Sequence, residues 1–95
     1  MNKSDLTELI LDFMTVIHRC HAKTTYTEDK KVYARDLVVA MHWIAELRGG
    51  AEIDSVIEKI NHPAVDKHFG EYWRQGEWGD DELNALSELR SRAAQ

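Results

Sequence analysis

The first 48 residues contain neither proline nor glycine. Through that stretch apolar side chains return every three or four positions, the spacing that lines one face of an α-helix. Leu6, Leu9, Ile10, Phe13, Met14, Ile17 and Cys20 make a first stripe, and Tyr33, Leu37, Ala40, Ile44 and Leu47 a second. A chain that opens this way is committed to two long helices. No later segment alternates apolar and polar residues as a half-buried strand does. The expectation is an all-α fold, a small bundle of about five helices, with residues 1–95 as a single helical domain.

Local signals set the boundaries. "DLTE" reads as a capping box with Asp5 as cap and Glu8 three residues on, which places the first helix at about 5–22. "KTTYTEDK" is a polar connection in which Thr27 is the expected cap of a second helix. That helix spans about 28–48, with Glu28 and Asp29 at its positive end and Gly49-Gly50 as its stop. A third helix, about 52–61, carries Ile53, Val56, Ile57 and Ile60. Pro63 suits the first position of a fourth, about 63–75, with Val65, Phe69, Tyr72 and Trp73. Asp80 is the expected cap of a fifth, about 80–94, with a stripe of Leu83, Leu86 and Leu89 and a fraying end at "RSRAAQ".

The second helix has more apolar surface than one stripe. Val32, Val39 and Trp43 form a seam about 100° from the first, by helical arithmetic. Ala34, Val38 and Met41 extend the apolar surface on the other flank. A helix apolar over most of its circumference is surrounded by protein, and a short chain supplies few neighbours. The expectation is a homodimer with Val32, Val39 and Trp43 in its interface.

Charge and cysteine content narrow the function classes. With 12 basic and 17 acidic residues the net charge is −5, which argues against a general binder of nucleic acid or anionic membrane. Cys20 is the single cysteine, so an internal disulfide is ruled out and a reducing, cytoplasmic setting is expected. No apolar run approaches the roughly 20 residues of a membrane span.

Chemistry is concentrated in "VIHRCHA". His18 and His21 are one turn apart and could face one ion, but a tetrahedral zinc needs four ligands. Cys20 lies about 200° from His18 on the opposite side, in line with Phe13 and Ile17. It reads as a small core residue rather than as a ligand or nucleophile. His42 and Glu46 are a further i, i+4 pair, but there is no CxxC and no HExxH. Asp5, Glu8 and Asp12 share a loose face of the first helix, and capping accounts for the first two. No catalytic residue, metal ligand or cofactor is assigned, and a metal-dependent enzyme is the weakest of the alternatives.

Two binding surfaces remain. Arg19, Lys23, Lys30, Lys31 and Arg35 surround the first connection among hydroxyls and Tyr26, a composition suited to phosphate, so a small nucleic-acid-binding regulator is the alternative reading. "FGEYWRQGEW" holds four aromatics in ten residues. Trp78, between Gly76 and Gly79 and framed by Glu77, Asp81 and Glu82, is the expected anchor for a partner protein with a basic surface. The leading expectation is a non-enzymatic protein–protein interaction module: an adaptor, an inhibitor or an immunity-like accessory protein that self-associates through its second helix.

Overall fold

A computed structural model describes residues 1–71 and 79–95. Among these residues the fold is all-α, with five helices: α1 Lys3–Lys23, α2 Thr27–Arg48, α3 Ile53–Ile60, α4 Pro63–Glu71 and α5 Gly79–Ala93.

α1 starts two residues before the expected point because Asn2, not Asp5, is its cap. Asn2 Oδ1 accepts the Asp5 N–H at 2.8 Å, and Asp5 Oδ2 accepts the Asn2 N–H at 3.0 Å. Asp5 is thus the reciprocal partner of a capping box rather than its head. The buried face is Leu6, Ile10, Phe13, Ile17 and Cys20, as the spacing predicts. Thr27 does not cap α2 either; it lies inside the helix, and Tyr26 occupies the cap position without a side-chain bond. The connection is held by other groups. Thr24 Oγ1 accepts the Tyr26 N–H at 3.3 Å, and Lys30 Nζ donates to the His21 carbonyl at 2.8 Å. α2 stops at Gly49, and Gly50 turns the chain at φ 101°, a region in which a side chain is strained.

α1 is the central element. α2 packs along one side of it and α5 along another. α5 runs antiparallel to α1: its start lies beside Cys20 and its end beside Asp5. α3 and α4 fold back over α2. Phe69 of α4 sits 5.6 Å from Phe13, ring centre to ring centre, and Trp43 of α2 stacks 6.3 Å from the same ring. His68 Nε2 lies 3.0 Å from Oδ1 of the buried Asp36. From α5, Arg90 donates twice to the Ile60 carbonyl, at 2.9 and 3.1 Å, and once to Asp66 at 2.6 Å.

This arrangement corrects the expected dimer seam. Trp43 is 5% exposed and Val32 7%, and Val39 is half-buried against the core. The chain's own elements cover that side of α2, so Val32, Val39 and Trp43 are packing residues. Trp43 stacks on Phe13 of α1, and Val39 packs against the core cluster.

α5 corrects a second reading. Its buried positions are Glu82, Leu86, Leu89 and Ala93, while Leu83 is exposed. A repeat of three steps back by about 60° each time, whereas 82, 86, 89 and 93 alternate four and three and hold one face. The acid at position 82 therefore goes inside and the leucine at 83 outside. The end of α5 is held as well, since Ala93 is buried.

Candidate functional site

Cys20 faces inward at 2% exposure. Burial pushes its thiol up to about 11, and the charges of Glu82 and Asp81 push the same way against the opposing Lys23. A thiol held protonated is a poor nucleophile. His18 is exposed on α1 and lines a different hollow from Cys20. Among the described residues no three His, Cys, Asp or Glu side chains converge as a metal site requires. His42 is exposed, and Glu46 accepts from Lys59 Nζ at 2.6 Å.

The basic region is divided. Arg19 and Lys23 line a cleft of about 430 Å³ between α1 and α5, together with Asp81 and Asn84 over a floor of Val16, Cys20 and Ala85. Lys30 is committed to the His21 carbonyl, and Lys31 pairs with Glu28 at 3.2 Å. Arg35 is exposed on α2. Arg19 and Lys23 thus face the α1–α5 cleft, while Lys30 and Lys31 are bonded near the start of α2.

The acidic loop is also changed. Asp81 is exposed at the mouth of the cleft, but Glu82 is fully buried and cannot steer a partner. Glu77 and Trp78 lie outside the described residues.

The prominent uncovered feature is elsewhere, on the α1–α2 hairpin. Leu11 is 46% exposed, Val38 50% and Met41 54%. A hollow of about 370 Å³ runs between the helices, lined by Leu11, Met14, Thr15, His18, Leu37 and Met41. Ala34 and Ala45, both exposed, continue the apolar surface along α2. The cause is local. The core stripes of α1 and α2 meet on their inner side, and Leu11, Val38 and Met41 lie off those stripes, where α3, α4 and α5 do not reach. The signal was in the sequence, since Ala34, Val38 and Met41 stand apart from both seams of α2 and Leu11 lies about 140° from Leu6. What periodicity cannot say is which of two apolar flanks a neighbour will cover.

Among the described residues, core and strip together define a class: a small helical domain with an aromatic-centred interior and an uncovered apolar strip on two adjacent helices. No protein-family model, characterised protein or solved structure matches the chain. Among the described residues no helix is long and apolar enough to cross a membrane.

Proposed function

We propose that this protein is a non-enzymatic interaction module, of adaptor or inhibitor type, that binds a partner protein through the outer face of the α1–α2 hairpin. The observation that carries this reading is the exposure of Leu11, Val38 and Met41 on one side of two adjacent helices, beside the hollow floored by Met14 and Leu37. Contiguous apolar surface on an otherwise charged domain marks an interaction site more often than a structural accident. Fully covering a leucine, valine or methionine gains about 1.5–3 kcal/mol each, so a partner that covers the strip has several kcal/mol to draw on. Two methionines suit such a face, because their flexible side chains adapt to an incoming surface.

The test is the double substitution Val38→Asp with Met41→Asp. Both side chains point to solvent, so the thermal midpoint is expected to stay within a few degrees of wild type. Proteins captured from native lysate and identified by mass spectrometry should lose the specific partner. Equal capture by wild type and variant would remove the strip from consideration, and a collapsed melt would show that these side chains belong to the core.

A further inference from the structure

The cleft between α1 and α5 lies on another face of α1 from the apolar strip. Val16, Arg19, Cys20 and Lys23 recur every three or four residues along α1, and Asp81, Asn84 and Ala85 do so along α5, so both sets face the same space. Its volume, about 430 Å³, is that of a small-molecule site. The space exists because the floor, Val16, Cys20 and Ala85, is built of small side chains. Val16 and Ala85 also line a slot of about 160 Å³ that continues between the helices past Leu9, Phe13 and Leu89. Asp12 stands at the exposed rim of that slot with Glu88 and Arg92, which lie 4.0 Å apart. The whole is a chamber with a polar mouth and an apolar inner end.

The mouth holds two charges of opposite sign that do not bond each other. Arg19 and Asp81 are both exposed, and among the described residues neither has a hydrogen-bond or ion-pair partner. Asn84, at the same mouth, is equally uncommitted and offers both donors and an acceptor. Lys23 is already engaged. We infer that this cleft binds a free α-amino acid with an aliphatic side chain. The ligand's carboxylate takes the planar guanidinium of Arg19, a fork suited to two parallel hydrogen bonds. Its ammonium turns to Asp81, and Asn84 serves either group. Its side chain leaves water over Val16 and Ala85 and points along the slot toward Phe13 and Leu89. A simple carboxylic acid would bring its charge to Asp81 with nothing to offset it, and a simple amine would do the same at Arg19. A zwitterion answers both. This site goes beyond the interaction reading above and stands independently of it.

The experiment is an NMR titration of the isotope-labelled full chain with leucine. Saturable amide shifts are expected at Val16, Arg19, Asn84 and Ala85. Arg19→Gln and Asp81→Asn, both at exposed positions, should each weaken binding about tenfold or more while the rest of the spectrum is unchanged. Isocaproate and isoamylamine keep the aliphatic group and lack one charge each; both should bind about tenfold or more weakly than leucine. Ala85→Leu fills the floor and should abolish the shifts. A folded Ala85→Leu variant that binds leucine as wild type does would place the ligand outside the cleft and overturn the inference. If that variant does not fold, the two exposed variants decide: unchanged leucine binding in both overturns it. Isocaproate or isoamylamine binding as tightly as leucine overturns the zwitterion. No saturable shift with about 10 mM leucine overturns the site itself.

Discussion

Cys20 is acted on by burial and by two acids in the same direction. Its ordinary value is 9.0 and its value in the fold about 11. Below pH 9 both folded and unfolded chains keep the proton and stability does not respond to it. Between 9 and 11 the unfolded chain releases the proton while the folded chain holds it, so stability falls as pH rises, by up to about 2–3 kcal/mol at the top of that window. Urea unfolding across this range should show the fall in wild type and lose that component in Cys20→Ala; identical curves would disprove the linkage. Iodoacetamide should leave the native thiol unmodified and label it fully in denaturant, as read by mass spectrometry. The position of this cysteine was legible from its place in line with Phe13 and Ile17. That of Glu82 was not, because apolarity points to Leu83 and only the direction of the α5 face, set by packing on α1, chooses between them.

At the scale of elements, the short helices depend on one side chain. Ile60 ends α3, and its carbonyl is one of those a helix leaves without an internal partner. Arg90 supplies two donors to it and places a cation at the negative end of the α3 dipole. Its third bond, to Asp66, holds α4 in the same place. Arg90→Ala is therefore expected to lower stability by about 1–3 kcal/mol in urea titration, and Asp66→Asn by less, because the bonds to Ile60 survive. Equal effects of the two would mean that the α4 contact carries the energy. The Arg90 hydrogen bond, with its charge adding to it, draws the Asp66 carboxyl below its ordinary value of 3.8. This contribution is present above pH 3.8 and is lost as pH falls through the lowered value. Helix number and the stops at Gly49 and Pro63 could be read from the sequence, since breakers act locally. The role of Arg90 could not: its partners lie 24 and 30 residues away in the chain.

For the whole molecule, the sequence indicated that α2 has too much apolar surface for one stripe, and it misplaced the surplus. Val32 and Trp43 are covered by the fold, whereas Val38 and Met41 are not. The two flanks differ little in composition, so the difference arises from tertiary packing, which has no local signature. The central helix has a further consequence for how the chain reaches its native state. α1 is covered on one side by the helix that follows it and on another by α5, so part of its burial must wait for a partner distant in sequence. Contacts of long sequence separation slow folding through the entropy of closing the intervening loop. Met1 and Gln95 line one hollow, so a short flexible linker can join them. A permutant joined there and opened at Gly49–Gly50 makes the α5–α1 pairing local. It should refold faster than the natural order in stopped-flow tryptophan fluorescence while its equilibrium stability changes little; an unchanged rate would place the barrier elsewhere. During synthesis the same geometry leaves the inner face of α1 half-covered until α5 has been made, an interval in which α2 is its main shelter.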